Sequence, residues 1–352
     1  MKKRLLSVLL ASGMVATTLV GCSVGGSGNK KVGVAMPTKD LQRWNQDGSN
    51  MEKLLKEAGY DVDLQYASND INTQVTQIEN MITSGCDVLV IASIDGDSLG
   101  TVLAQAKEKG VKVIAYDRLI MNTDAVTYYA TFDNFMVGVK QGQYIEDQLG
   151  LKSNAGPFNI ELIAGSPDDN NAHIFYEGAM SILQQYIDNG KLVVKSGQKT
   201  FEQVATQGWK TENAQSRFEA LIAANYADGT QLDAVMASND STALGVANAL
   251  ASYTGKYPIL TGQDCDIANV KNMIAGKQSM SIFKDTRDLA AKTTEMVDAI
   301  LKGGEPPINN TTDYDNGKFV VPSYLCDPVF ADVNNYEKLL VESGYYKADQ
   351  LK

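Results

Sequence analysis

Short apolar runs alternate with segments of helical period, and the alternation occurs twice along the chain. Runs at 32–36, 62–66, 88–91 and 111–116 are separated by helical patterns through Met51, Leu54 and Leu55, over 71–82 and over 99–109. The run at 88–91 is continuous, as in a strand buried on both faces. This order predicts a parallel sheet covered by helices on both sides. The rhythm restarts with runs at 158–164, 192–194, 232–237, 258–260 and 280–283. Helical patterns around 175–186, 214–226, 243–251 and 270–274 separate them. No short period repeats, which excludes solenoids and propellers. The expected fold is α/β, with two doubly wound parallel-sheet lobes, and 352 residues suit two domains.

The first residues follow a different logic. Lys2, Lys3 and Arg4 precede an apolar stretch at 5–20, shorter than the about 20 residues of a spanning helix. The stretch ends Leu19-Val20-Gly21-Cys22, the form of a bacterial lipobox. Residues 1–21 therefore read as a signal peptide, and Cys22 as the lipidated first residue of the mature chain. Residues 22–31 form the lipidated cysteine and a Gly/Ser-rich tether. The expected location is extracytoplasmic, on the cell membrane through lipid alone. Cleavage removes three basic residues and takes the formal charge from −11 to −14. Such a charge disfavours nucleic acid as a partner. Cys86, Cys265 and Cys326 remain, allowing at most one disulfide, and read as small buried apolar residues.

In open parallel sheets, ligands bind beyond the carboxyl ends of the strands. The polar residues just after each run are thus site candidates. They include Lys39, Arg43 and Trp44, then Ser93 and Asp95, then Asp117 and Arg118. In the second half come Asp168-Asp169-Asn170-Asn171, Asn239-Asp240, Gln263-Asp264 and Lys284-Asp285. Any one Asp or Asn after a strand is most simply a helix cap or turn residue. Arg and Lys do not cap, so the set points further. Carboxylates, amides and cations bind sugar hydroxyls in forked pairs, and indoles fit the apolar faces of a sugar ring. Trp44 and Trp209, the only tryptophans, lie outside any apolar stripe and read as cleft walls.

Other chemistries lack their residues. One histidine, His173, excludes a site of paired histidines, and the cysteines have no CxxC spacing. No phosphate-cradling loop occurs. Adjacent carboxylates such as Asp168 and Asp169 do not bracket a scissile bond. His173 falls near a helix start and reads as a solvated first-turn residue.

These residues lie in longer stretches that resemble a known family. The stretches are VGVAMPTKDLQRW, QIENMITSGCDVLVIASIDG, VIAYDRLI, GPFNIELIAGSPDDNNA, ASNDST, TGQDCD, IFKDTRDLA and VPSYL. In this order they resemble the periplasmic type I monosaccharide-binding proteins of ABC transporters, in the ChvE-like multiple-sugar-binding and xylose-binding branch. The likeness runs from about residue 32 to the end. It implies that Arg43, Trp44, Asp117, Arg118, Asp169, Asn171, Trp209, Asn239, Asp264 and Lys284 contact a monosaccharide. It extends the set to Lys39 and Asn134, and to His173 as a residue tuning specificity. It implies three hinge crossings near Asp133, Asp285 and Pro322, with lobes at 32–133 plus 285–322 and at 134–284 plus 323–352.

The function implied is capture of an aldose such as glucose, galactose, arabinose or xylose, and its delivery to an ABC permease. A chemoreceptor or sensor kinase is a compatible further partner. The related galactose-binding proteins carry a calcium loop; no DxNxDxQ-like stretch occurs here, and neither metal nor cofactor is expected. A transcription repressor of the same fold would need an N-terminal helix-turn-helix and a basic surface. A secreted sugar-acting enzyme would need a nucleophile–base pair or bracketing acids. Neither set is found.

Overall fold

The computed structural model describes residues 29–153 and 155–352. The signal peptide, Cys22 and most of the tether lie outside the described residues.

Strand and helix alternate through β1 (Lys31–Met36), α1 (Gln42–Glu57), β2 (Asp61–Tyr66), α2 (Ile71–Thr83), β3 (Val88–Ile91), α3 (Gly100–Glu108), β4 (Lys112–Tyr116) and β5 (Tyr128–Phe132). All five strands pair in parallel, in the order β5-β4-β3-β1-β2. The register sets Val32 beside both Val62 and Val88. β3 lies centrally and is buried along its length, as its unbroken apolar run requires. The edge strand β2 reads Asp-Val-Asp-Leu-Gln-Tyr and is partly exposed, a composition that discourages edge pairing with another chain.

The second lobe starts with α4 (Asn134–Gln148), then β6 (Phe158–Ile163), α5 (Asn170–Asp188), β7 (Leu192–Val194), α6 (Phe201–Val204), α7 (Thr211–Asn225), β8 (Ala234–Ala237), α8 (Asp240–Ala249), β9 (Ile259–Leu260), α9 (Ile267–Ile274) and β10 (Met280–Phe283). Its parallel sheet has the order β7-β6-β8-β9. A parallel bridge between Gln263 and Ile282 carries the sheet on to β10.

The chain then returns to the first lobe. α10 (Thr286–Lys302) buries Leu289, Ala290, Met296 and Val297 in one core with Val32, Val34, Met51 and Leu55. Asp285 caps it, and Gly303 ends it in the left-handed conformation, with φ 72°. β11 (Ser323–Cys326) joins the first sheet, parallel to β5. β12 (Val329–Asp332) pairs antiparallel with β10. The expected crossing near Pro322 is therefore corrected. The chain stays on the first sheet through Cys326, because Ser323 to Cys326 take their partners from Tyr129 to Phe132.

One helix contact positions the site. A Cβ at Gly138 of α4 would lie 2.0 Å from the Phe175 carbonyl oxygen, and one at Gly178 of α5 would lie 2.2 Å from that of Phe135. Only glycine lets the two backbones meet so closely. This contact sets where α5 begins, and the start of α5 carries Asp169 and Asn171. Cys86, Cys265 and Cys326 are free and buried, as small apolar residues are.

Candidate functional site

Because the strands of each sheet run parallel, their carboxyl ends gather on one side, and the two lobes meet there. Between them lies a cavity lined by residues of both lobes. All ten residues of the principal sequence set line it. From the first lobe come Arg43 and Trp44 in the first turn of α1, and Asp117 and Arg118 after β4. From the second come Asp169 and Asn171 at the start of α5, Trp209, Asn239 before α8, Asp264 after β9 and Lys284 after β10.

Arg43 is the hub of the charges. Its Nε donates to Asp47 Oδ2 at 3.0 Å and its Nη1 to Asp264 Oδ1 at 3.0 Å, while Nη2 donates to Asp117. Burial alone would lower its pKa, but Asp117, Asp47 and Asp264 outweigh burial and hold it well above the ordinary value. Lys284 Nζ lies 2.9 Å from the same Asp264 oxygen. Burial pulls the Asp264 carboxyl upward, yet Lys284 and Arg43 prevail and keep it below the ordinary range. Across the cleft, Arg118 Nε is 3.0 Å from Asp169 Oδ2. Arg118 Nη1 also donates to the carbonyls of Ser93 and Ile94. The Asp169 carboxyl is raised, by burial first, with Arg118 opposing.

The capping role and the cavity role prove compatible. Asp169 Oδ1 accepts the Asn171 amide and caps α5, while Oδ2 accepts Trp209 Nε1 at 3.1 Å. A carboxylate has two oxygens, so one can cap while the other faces the cavity. Asn239 likewise caps α8 through Oδ1, leaving Nδ2 only a 3.4 Å contact to Ser241. Asn171 ties the lobes together: its Nδ2 donates to the Asp117 carbonyl at 2.6 Å and its Oδ1 accepts from Tyr129.

Wall and core are not alternatives for the tryptophans either. Trp44 and Trp209 are 3% and 4% exposed, and each packs into its lobe's core while lining the cavity. The guanidiniums of Arg43 and Arg118 lie 5.2 and 5.1 Å from the Trp44 ring centre, a cation–π geometry. Trp209 packs over Gly165, where an added Cβ would lie 1.9 Å from the ring.

The three residues that the likeness added to the principal set fall elsewhere, as do the polar candidates Ser93, Asp95, Asp168, Asn170, Asp240 and Asp285. Lys39 is exposed, with Nζ 4.8 Å from the Tyr66 ring centre. Asn134 is buried beneath the site, its amide directed to Tyr129 and Thr131. His173 does sit in the first turn of α5, but half-buried rather than solvated, stacked 3.8 Å from Phe201. None of the three lines the cavity.

Four lining residues escaped the sequence reading of the site: Leu41, Phe175, Ser241 and Asp266. Leu41 and Phe175 are apolar and carry no polar signal. Gln263, a candidate from the sequence, also lines the cavity, and its Oε1 is buried without a partner. Asp266 reaches the cavity because φ is positive at Asp264 (96°) and Cys265 (53°), which turns the loop inward.

Residues 32–305 match the periplasmic binding protein domain, and the chain belongs to that family. It is similar to the multiple sugar-binding periplasmic receptor ChvE of Rhizobium radiobacter, with 56% identity over 91% of this chain and 92% of the relative. It is 50% identical to the multiple sugar-binding periplasmic protein SbpA of Azospirillum brasilense, over 97% of this chain and all of the relative. Among solved structures, an ABC transporter solute binding protein of Clostridium phytofermentans with bound β-D-glucose is 72% identical. It superposes with a TM-score of 0.91, covering 92% of this chain and 100% of that one. A carbohydrate transporter solute binding protein of Chloroflexus aurantiacus, in complex with D-glucose, is 36% identical with a TM-score of 0.84, over 92% and 98% of the two chains. The two-lobed α/β fold expected from the sequence is the fold of these relatives.

Proposed function

We propose that the chain captures one monosaccharide, an aldose of the glucose, galactose, arabinose or xylose type, between its lobes and delivers it to an ABC permease. The observation that carries this reading is the lining of the cavity. Three cations (Arg43, Arg118, Lys284) face four carboxyl groups (Asp117, Asp169, Asp264, Asp266) there, beside both tryptophans. Such a lining offers charge-assisted hydrogen bonds to an uncharged, many-hydroxyl ligand without a large net charge. The sugars carried by the similar Clostridium and Chloroflexus proteins agree with it. The ten lining residues of the sequence set are the proposed contacts.

In this reading the lobes comprise 32–133 plus 285–326 and 134–284 plus 327–352, and hinge motion opens the cleft. The protein binds and does not turn its sugar over. It is held outside the cytoplasm by lipid on Cys22, so Cys22→Ser should move it out of the membrane fraction; unaltered fractionation would refute the anchor.

Titration calorimetry of the chain from residue 23 onward, against a panel of neutral aldoses, tests the central claim. The expected result is saturable one-site binding of at least one aldose, with a change in tryptophan fluorescence and no product. No binding of any monosaccharide would overturn it.

A further inference from the structure

Among the described residues, five Asp or Asn side chains cap helices. Asp70, Asp133, Asp169, Asn239 and Asp285 each accept a backbone N–H of the helix that follows. Asp266, in the same position before α9, makes no such bond. Its Oδ1 is buried without a hydrogen-bond partner, and the residue lines the cavity. A buried polar atom left unpaired is destabilising, so the arrangement calls for something in the cavity to meet it.

The reason Asp266 can leave its cap lies in the other lobe. Gln42, at the start of α1, accepts the Ile267 N–H through Oε1 at 3.1 Å. Gln42 thus supplies from across the cleft a partner that the first turn of α9 would otherwise lack. Asp266 itself is pinned through its backbone, whose N–H donates to Asp240 Oδ2 at 2.8 Å. With the lobes together, its carboxyl faces the cavity.

The surroundings oppose a negative charge there. Asp264 and Cys265 flank it on its own loop, Asp240 faces it from α8, and Tyr346 approaches from the C-terminal segment. Arg43 and Lys284 supply the neighbouring positive charge, but both already hold Asp264. Burial first, then Asp264, push the Asp266 carboxyl up to about 7, against the pull of Arg43 and Lys284.

We propose that Asp266 contacts the captured sugar as an un-ionised carboxyl, donating to a sugar oxygen, and that closure of the cleft takes up one proton from solvent at this residue. The proposal rests on the sugar-capture reading above. With the cleft open, Gln42 withdraws, and Asp266 can return to the α9 N-terminus, where the amides and helix dipole favour the ionised form. Closing exchanges that cap for the one from Gln42 and turns a protonated Asp266 toward the ligand.

The sign follows from linkage. A carboxyl whose pKa is higher in the closed form favours closure at low pH. That advantage is lost as the pH rises from the ordinary carboxylate range through the closed-form value, and above it the dependence vanishes.

The test is calorimetric titration of the protein with whichever neutral aldose binds, from about pH 5 to about pH 8, in buffers of different ionisation enthalpy. Affinity should fall by on the order of tenfold or more across that range, with proton uptake near pH 6 that disappears at the alkaline end. Asp266→Asn keeps a donor in the same place and should bind sugar with a flat pH profile and without that proton. Gln42→Ala should bind more weakly and take up less of the proton. A flat profile in the parent would overturn the proposal while leaving sugar capture intact. An Asp266→Asn variant retaining the parent's slope would also overturn it, placing the proton on Asp47 or Asp240. Failure of every aldose to bind at any pH would instead remove the sugar-capture reading, and this proposal with it.

Discussion

On the first-lobe wall, Arg43 is held by Asp47 and Asp117, and Arg118 by the carbonyls of Ser93 and Ile94, all from their own lobe. On the second-lobe wall, Asp169 finds its cation in Arg118 across the cleft, and Asp264 shares Arg43 across the cleft as well as Lys284. Unpartnered oxygens occur among the lining residues of the second wall, on Gln263 and Asp266. The first wall thus draws these supports from its own lobe. The second draws part of its charge pairing from the other lobe and leaves two oxygens without a partner. Breaking a second-wall residue should therefore damage capture, whereas a first-wall support should show in stability.

Asp264→Ala should have the largest effect. It leaves Lys284 without its carboxylate and removes one of the three acids around Arg43. Breaking a buried pair from one side costs about 3–5 kcal/mol, and most of that should appear as lost sugar affinity. The unliganded fold should survive, because Arg43 retains Asp47 and Asp117. Sugar affinity equal to the parent's would remove Asp264 from the site and dissolve the contrast between the walls.

Next in size is Gly165→Ala. The new methyl would overlap the Trp209 ring and force it aside. Overpacking of this kind costs about 1–3 kcal/mol. The indole also loses its alignment with Asp169, so sugar affinity and the sugar-induced fluorescence change should fall together. A variant with normal affinity would show that Trp209 serves the second-lobe core and not the ligand.

Asp47 gives a comparable effect with a different readout. Burial raises its carboxyl to about 6, against the pull of Arg43. The native state then holds a proton that the unfolded chain has released, so stability falls as the pH rises from about 4 to about 6. The expected loss is about 2 kcal/mol across that range, seen as a lower midpoint of thermal unfolding. Asp47→Asn should flatten that slope. If the unfolding slope persists in the variant, the first wall does not carry it.

Much of this was legible in the sequence, for identifiable reasons. Continuous apolar runs such as 88–91 announce central parallel strands, and parallel strands fix where polar residues gather. The ten cavity residues were found because each lies just beyond such a run or in a motif of the family. The missed elements lacked that signal. β11 is Ser-Tyr-Leu-Cys, only partly buried at a sheet edge, and α4 is interrupted by Gly138 and Gly142, which serve contact with α5 rather than an apolar stripe. Asp266 carries no sequence signal of its own, since an acid before a helix is most simply a cap. Only the cross-lobe bond from Gln42 to Ile267 reveals that this one does not cap.

Lys39, Asn134 and His173 do not line the cavity, and two of them provide the smallest prediction. Lys39 and His173 stand in the right segments but face away from the cavity. The Lys39 ammonium lies over Tyr66, and the His173 ring packs on Phe201 at 3.8 Å, with Nε2 3.4 Å from the Pro167 carbonyl. Neither supports an ion pair across the cleft. Lys39→Ala and His173→Ala should each leave sugar affinity within about 0.5 kcal/mol of the parent, the range of surface substitutions. The comparison of walls makes His173 the sharper test, because it sits on the same helical turn as Asn171 and only four residues from Asp169. If His173→Ala weakened binding tenfold while Asp169 and Trp209 stayed in place, the second wall would extend beyond the cavity along α5, and the packing of His173 on Phe201 would have to be counted among the supports of the site.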